Sequence, residues 1–186
     1  MSGWILRMSV VEARFHRAVA TRRHRHLDRL MLIITRLGDP WFMTLFGALL
    51  LLDLVSLPHA IAVHAALSGL VTFVVSQILK RAIARPRPSL GIGFQALIEA
   101  PDRFSFPSGH SAVSLSMALP IALAPITSTS WAHWPGLAGI LLVALPIGAA
   151  LLIGFSRCYL GVHHPGDVLA GWLLALVTAP LVGLAF

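Results

Sequence analysis

Residues 104–156 read FSFPSGHSAVSLSMALPIALAPITSTSWAHWPGLAGILLVALPIGAALLIGFS, fifty-three residues without one Lys, Arg, Asp or Glu. A helix needs only about 20 apolar residues to cross the hydrocarbon core of a bilayer, so this stretch is too long for one span. Pro125 and the following run 127–136, which carries two tryptophans typical of a membrane interface, divide it. The stretch therefore predicts two membrane spans, at about 108–126 and 136–155.

Apolar runs continue on both sides of this stretch, at about 40–57, 59–80 and 168–186. The whole chain of 186 residues is 57% hydrophobic and only 11% charged, with a mean hydropathy of +0.83. A soluble domain carries about 25% charged residues, so the composition excludes an ordinary soluble globule and a disordered chain. The sequence predicts an all-α integral membrane helical bundle of about five transmembrane helices.

The N-terminal segment is basic and amphipathic. Apolar residues recur at helical spacing within 4–19 and again within 27–37, and eight arginines lie in residues 7–36. This pattern predicts interfacial helices in the headgroup region, with arginines that reach lipid phosphates; an ordinary solvated helix packed on the rest of the chain is the alternative. We therefore expect two units, a basic amphipathic interfacial segment at 1–38 and a transmembrane domain at 39–186.

The net charge of +7 also bears on the partners. The basic residues stand in blocks beside apolar runs and do not interleave with aromatic residues, which argues against nucleic acid as a partner. An anionic lipid surface or a phosphate-bearing substrate fits the charge better. The single cysteine, Cys158, excludes an internal disulfide and any Cys-rich metal site.

Polar residues concentrate at one set of span ends. Because each span reverses the direction of the chain, the ends near residues 80, 108, 156 and 167 fall on the same face of the membrane. The polar residues at these ends are Lys80, Arg81, Arg85, Arg87, Arg103, Ser105, Ser108, His110, Arg157, His163, His164 and Asp167. Cations gathered with histidines and a carboxylate predict a site for a phosphate-like anion.

Three local segments carry chemistry within this cluster. Ser108 precedes a predicted helix, whose N-terminal amides favour a bound phosphate, although simple capping is the alternative. Prolines beside Arg85 and Arg87 stiffen the backbone that aims them, whereas an anchor for lipid headgroups is the alternative. Asp167 follows His163 closely enough to hold its Nδ1–H and leave Nε2 free to attack, unless the histidine is structural.

Taken together, these segments resemble the type 2 phosphatidic acid phosphatase (PAP2) superfamily of membrane lipid phosphatases. The family pattern of Lys, six residues and Arg-Pro reads here as Lys80 to Arg87-Pro88. Its Pro-Ser-Gly-His reads as Pro107-Ser108-Gly109-His110, and its Ser-Arg, five residues, His, three residues, Asp reads as Ser156-Arg157, His163 and Asp167. The resemblance covers roughly residues 59–175, and the order and spacing of its three parts are specific.

The resemblance implies a role for each matched residue. His163 is expected to be the nucleophile that forms a phosphohistidine, and Asp167 is expected to orient it. His110 is expected to be the general acid that protonates the leaving oxygen. The expected phosphate-binding residues are Lys80, Arg87, Ser108, Gly109 and Arg157. The implied mechanism needs no metal ion and no other cofactor.

The resemblance further implies an enzyme, a lipid phosphate phosphatase, whose substrate is a phospholipid phosphate or a polyprenyl (pyro)phosphate. A non-catalytic membrane scaffold or transporter is one alternative, against which the intact motif residues argue. A vanadium-dependent haloperoxidase is another, against which the apolar spans argue.

With five spans, all fourteen Lys and Arg lie on the face of the site, and we found no signal peptide. We therefore expect a bacterial inner-membrane protein whose active site faces the cytoplasm.

Overall fold

The computed structural model describes residues 3–88, 96–100, 102–127 and 137–185. These residues form seven helices: α1 (Gly3–Ala20), α2 (Arg25–Arg36), α3 (Pro40–Leu51), α4 (His59–Ile83), α5 (Gly109–Thr127), α6 (Leu137–Tyr159) and α7 (Pro165–Gly183). The only β-type pairing among the described residues is one isolated bridge between Pro86 and Phe104. The expected all-α fold is therefore confirmed.

Three of the helices are long and apolar enough to cross a membrane, and two further apolar helices are shorter. The long ones are His59–Ile83, Gly139–Tyr159 and Pro165–Gly183, and the shorter ones are Pro40–Leu51 and Gly109–Ala124. Large apolar side chains on α4, among them Leu70, Val74 and Ile78, are exposed on the outer surface, as lipid-facing residues are. The chain is an integral membrane protein, and the number of five transmembrane helices remains a prediction.

Local sequence explains where the helices near the site begin and end. Ala84 ends α4 in the left-handed conformation, with φ of 49°, and Pro86 then prevents the helix from resuming. Pro165 opens α7, and His164 and Asp167 form a capping box there. The first boundary places Arg85 and Arg87 just after α4, and the second places His163 just before α7.

Helix α5 occupies the centre of the bundle and packs against α4, α6 and α7. Small residues make this possible, since α5 buries Ala112, Ser116 and Ala122 on its different sides. Helix α7 comes close to the backbone at the start of α5, where a Cβ built on Gly171 would lie 2.7 Å from the carbonyl oxygen of Ser108. This contact fixes the start of α5 against the start of α7.

The order of the helices brings the motif segments to one end of the bundle. Helices α4 and α6 end there, and α5 and α7 begin there; the amide of Ser108 donates to the carbonyl of Asp167 at 2.9 Å across that junction. The turn between α3 and α4, where Asp53 and His59 pair at 2.8 Å, lies at the opposite end of α4.

The N-terminal helices pack on the same end of the bundle. Met31 of α2 is buried in a cluster with Tyr159 and Leu160. Helix α1 buries a polar side, with Glu12 only 5% exposed, and leaves the apolar Val11 63% exposed. The periodicity did not predict that the buried side of α1 would carry a carboxylate. The placement of these helices in the headgroup region stays a prediction.

Candidate active site

His163 lies in the short loop between α6 and α7, and only 1% of its surface is exposed. Its Nδ1 lies 2.8 Å from the carbonyl oxygen of Ser105. A carbonyl only accepts hydrogen bonds, so Nδ1 carries the proton and Nε2 keeps its lone pair. Nε2 lies 3.4 Å from Nη1 of Arg87. Burial lowers the pKa of His163 to about 3, so the ring is neutral and Nε2 is able to act as a nucleophile.

Asp167 is buried beside this ring but does not take its Nδ1 proton. The nearest carboxylate oxygen, Oδ2, is 3.7 Å from Nδ1, beyond hydrogen-bond distance. The role of Asp167 in orienting His163 stays a prediction, and Ser105 makes the Nδ1 bond that was expected of Asp167. The reason is the capping box: Oδ2 accepts the backbone amide of His164 at 2.8 Å. The other oxygen, Oδ1, accepts Nη1 of Arg85 at 2.7 Å.

Arg85 links the start of α7 to α1. Its second terminal nitrogen, Nη2, donates to the buried carboxylate of Glu12 at 2.7 Å. Arg85 therefore joins Asp167 and Glu12, two carboxylates that would otherwise repel each other. Sequence reasoning included Arg85 in the cationic cluster but had no signal for Glu12, which lies over seventy residues away on an amphipathic helix.

Lys80 and Arg87 share one carboxylate, that of Asp102. Nζ of Lys80 lies 2.6 Å from Oδ2, and Nη2 of Arg87 lies 2.6 Å from Oδ1. Burial would raise the pKa of Asp102, but the hydrogen bonds from Lys80 and then Arg87 prevail and hold it below its ordinary value. Asp102 was not a predicted site residue, and its only sequence signal is an acidic side chain within a basic loop.

Arg157 is 2% exposed at the end of α6. Its Nη1 donates to Oγ1 of Thr35 on α2 at 2.8 Å, and its backbone carbonyl accepts the amides of Val162 and His163. Its Nε has no hydrogen-bond partner among the described residues. A buried guanidinium N–H without a partner is costly, so this nitrogen is suited to an anionic ligand.

Ser108 and Gly109 form the N-terminus of α5. The Ser108 side chain accepts a hydrogen bond from the hydroxyl of Ser111 at 2.8 Å, and its position before Gly109 makes it the cap of the helix. Amides in the first turn of a helix favour an anion, so this helix start belongs with the cations. The structure thus brings together every predicted site residue at one end of the bundle.

His110 follows on the first turn of α5 and faces the turn between α2 and α3. Its Nε2 lies 3.0 Å from Oδ1 of Asp39, which accepts a hydrogen bond from the ring. The sequence analysis assigned no role to Asp39, although a carboxylate between Gly38 and Pro40 was a signal for a tight turn. Asp39 is therefore a site residue that the motifs missed.

Two histidines of the bundle lie apart from the site. His64 on α4 pairs with the carbonyl of Ala179 at 2.9 Å, and His59 pairs with Asp53 at the far end. His133 lies outside the described residues. Among the described residues, no group of three or more His, Cys, Asp or Glu is arranged to hold a metal ion.

An apolar cavity of about 510 Å³ lies between α3, α5 and α6. Ser114, one turn after His110, lines its end near the site, and Leu37 lies beside it. Ile153 also lines this end, and the other walls include Phe46, Met117 and Leu142. The lining of the cavity thus comes within one helical turn of His110.

Comparison with known proteins gives concordant results. The model of the PAP2 superfamily matches residues 60–185. An undecaprenyl-diphosphatase of Sulfolobus acidocaldarius is 32% identical over 149 residues, which are 80% of this chain and 65% of that protein. Phosphatidylglycerophosphatase B of Bacillus subtilis is 36% identical over 112 residues, which are 58% of this chain and 49% of that protein. The chain therefore spans between about half and two thirds of the length of these relatives.

A solved structure shares the fold. The crystal structure of a transmembrane PAP2-type phosphatidylglycerolphosphate phosphatase from Bacillus subtilis superimposes with a TM-score of 0.76 at 26% sequence identity. The superposition covers 98% of this chain and 86% of that one, so it includes the N-terminal helices as well as the bundle.

Proposed function

Because the chain belongs to the PAP2 superfamily, we propose that it is a metal-independent phosphatase that removes a phosphate from a membrane lipid through a phosphohistidine on His163. The observation that carries this proposal is the state of the buried His163 ring. Its Nδ1 is bonded to a carbonyl, its Nε2 is unprotonated, and Arg87 approaches Nε2 at 3.4 Å. A neutral imidazole beside cations is arranged to attack a phosphorus atom that those cations hold.

The residues support a two-step displacement. The phosphate group binds among Lys80, Arg87, Arg157 and the N-terminus of α5, which neutralise its charge. The lone pair of Nε2 of His163 forms a P–N bond while the P–O bond to the lipid breaks. The departing oxygen takes a proton from His110. Water then attacks the phosphorus atom, the P–N bond breaks with its electron pair returned to Nε2, His110 takes a proton from the water, and inorganic phosphate leaves.

The apolar cavity supports a lipid as the leaving group. Its lining residue Ser114 lies one helical turn from His110, the proposed acid, so a leaving group at His110 would be close to the cavity. Its walls are almost wholly hydrocarbon, which suits an acyl or prenyl chain. Since one relative is an undecaprenyl-diphosphatase and another a phosphatidylglycerophosphatase, we propose a polyprenyl (pyro)phosphate or a glycerophospholipid phosphate as substrate.

We further propose that the protein lies in a bacterial inner membrane with this site on the cytoplasmic face. The N-terminal helices pack on the end of the bundle that carries the site, so their eight arginines stand on the same side as Lys80 and Arg157. Excess Lys and Arg in short segments favour the cytoplasmic side. Residues 1–38 and 39–186 are proposed as the interfacial segment and the phosphatase domain.

The experiment is a phosphate-release assay on the purified protein in detergent. The substrates are undecaprenyl pyrophosphate, phosphatidic acid and phosphatidylglycerol phosphate, each with and without EDTA and orthovanadate. We expect release that persists in EDTA, stops with vanadate and is absent in His163→Ala. His59→Ala, a histidine at the far end, is the matched control and should retain full activity. Loss of activity in EDTA that Mg²⁺ restores, or normal turnover by His163→Ala, would refute the mechanism.

A further inference from the structure

Asp39 makes an unusual contact for a residue in its position. It occupies the N-cap of α3, where an Asp side chain normally accepts an amide of its own helix, yet its carboxylate makes no capping hydrogen bond. It is directed to Nε2 of His110 instead, at 3.0 Å. This bond joins two residues that are seventy-one positions apart in the sequence.

The turn that carries Asp39 is built to approach the ring closely. A Cβ on the preceding Gly38 would lie 2.9 Å from Cδ2 of His110 and 2.6 Å from Cγ2 of Ile153, so a larger residue would push the turn away. Pro40 fixes the backbone on the other side of Asp39. The ring of His110 is only 10% exposed, and the Asp39 side chain closes over it at 31% exposure.

We propose that Asp39 is the positioning residue of the general acid: it holds the Nε2–H of His110, stabilises the imidazolium, and leaves Nδ1 to carry the proton to the leaving oxygen. This rests on the proposed function, because it assumes that His110 protonates the lipid oxygen. A carboxylate bonded to one nitrogen of a catalytic histidine orients the ring and stabilises its charged form.

The electrostatic surroundings give the reason for such a residue. The charged groups that act on His110 from the helices packed around it are Arg157 of α6 and Lys80 of α4, both cations, and Asp39. Two cations oppose a third positive charge on the ring, so the protonated acid needs a counter-charge in contact. The reciprocal effect is seen on Asp39, whose pKa is lowered, first of all by its hydrogen bond with His110.

The proton balance follows from this arrangement. In the first step the P–O bond breaks with its electron pair on the lipid oxygen, and Nδ1–H of the imidazolium supplies the proton, which leaves a neutral ring still bonded to Asp39. In the second step the neutral ring accepts a proton from the attacking water. Asp39 stays ionised throughout and acts only through His110.

The test compares Asp39→Asn with the wild type on two substrates, the lipid phosphate with the fastest turnover and p-nitrophenyl phosphate, whose leaving group needs little protonation. We expect kcat on the lipid to fall at least about 10-fold with little change in KM, and kcat on the aryl phosphate to stay within about 3-fold. Asp39→Glu should recover part of the lipid rate. Asp53→Asn, which breaks the exposed carboxylate–histidine pair at the far end, is the matched control.

Each other outcome overturns the proposal in a distinguishable way. Equal losses on both substrates, with a lower midpoint of thermal unfolding in detergent, would show that Asp39 only holds the turn in place. Unchanged rates on both would show that the contact has no function. If His110→Ala also turned over the lipid normally, the error would lie in the proposed general acid. If His163→Ala turned over the lipid normally, the error would lie in the proposed phosphatase mechanism itself.

Discussion

The Asp102 carboxylate accepts hydrogen bonds from two of the cations that we propose bind phosphate. Lys80 and Arg87 each contact one of its oxygens at 2.6 Å. A phosphate placed among these cations has to share them with Asp102 or displace it, and two anions at one site repel each other. Asp102 therefore competes with the ligand while it keeps the two cations in place.

We expect Asp102→Asn to bind vanadate and substrate more tightly, with a KM about 3- to 10-fold lower, because the amide keeps the shape without the negative charge. Since the pKa of Asp102 is lowered, the wild-type carboxylate is ionised throughout pH 5–8, so its own titration adds no pH dependence to the difference between the two proteins over that range. Inhibition curves with vanadate measure it. Glu99→Gln, an exposed carboxylate in the same loop, is the control; equal vanadate affinity in Asp102→Asn and wild type would contradict competition.

The buried neutral state of His163 has a consequence for stability. Its pKa is about 3 in the folded protein, against an ordinary value of 6.5. Between these values the unfolded chain binds a proton that the folded chain does not, so acid favours unfolding. Above about pH 6.5 the titration of His163 does not affect the free energy of unfolding. As the pH falls from 6.5 toward 3, protonation of this residue in the unfolded chain lowers the free energy of unfolding.

We expect the midpoint of thermal unfolding in detergent to fall between pH 6.5 and 4 in the wild type, and to fall less steeply in His163→Gln, which has no titrating ring. His16, whose pKa burial lowers to about 4, contributes in the same direction and should leave part of the slope in the variant. Parallel pH profiles for the two proteins would show that His163 is not buried in its neutral form.

At the scale of elements, the packing of α7 on α5 sets the geometry of the site. Gly171 of α7 lies against the carbonyl of Ser108 and the amide of Ala112, where an added Cβ would be 2.7 and 3.2 Å away. These atoms belong to the backbone, so no side-chain rotation relieves the contact. The junction that joins Ser108 to Asp167 therefore depends on the absence of a side chain at residue 171.

We expect Gly171→Ala to lower both thermal stability and kcat, the latter by about 10-fold or more, because displacement of the catalytic groups by about 1 Å has that scale of effect. The matched control is Gly148→Ala on α6, where nothing lies within 4 Å of the added Cβ. This variant should be at least as stable as the wild type, since Ala is favoured over Gly in a helix by about 1 kcal/mol. Wild-type activity in Gly171→Ala would show that α5 and α7 accommodate the added methyl group without moving the groups of the site.

At the scale of the whole molecule, charge is distributed very unevenly between the two ends. All fourteen Lys and Arg belong to segments that meet at the site end or to the N-terminal helices that pack there. The described turn at the opposite end, between α3 and α4, carries only Asp53 as a formal charge. This asymmetry supports the proposed cytoplasmic orientation of the site.

The orientation is testable with single cysteines in a Cys158→Ser background. His26→Cys places a thiol on exposed α2 at the site end, and Ser56→Cys places one in the turn at the opposite end. We expect a membrane-impermeant thiol reagent to label Ser56→Cys on intact cells and His26→Cys only after permeabilisation. The reverse pattern would place the active site outside the cytoplasm.

The sequence alone predicted the membrane character, the helices of the bundle and the motif residues of the site, but not Asp39 or Asp102. Spans predicted at about 59–80, 108–126 and 136–155 correspond to helices at His59–Ile83, Gly109–Thr127 and Leu137–Tyr159. Hydropathy and proline predict these features because each depends on residues within one or two helical turns. The motif residues could be assigned to one end of the bundle because successive spans alternate in direction.

Only the tertiary structure decided which groups bond to the catalytic histidines and cations. Ser105 binds His163 across fifty-eight positions, and Asp39 binds His110 across seventy-one. Asp102 reaches Lys80 and Arg87 from a loop with no regular pattern. Periodicity and spacing carry no information on such pairs, because they depend on how whole helices pack: the Ser108–Gly171 contact, the turn at Gly38 and the approach of α2 to α6 fix these distances together.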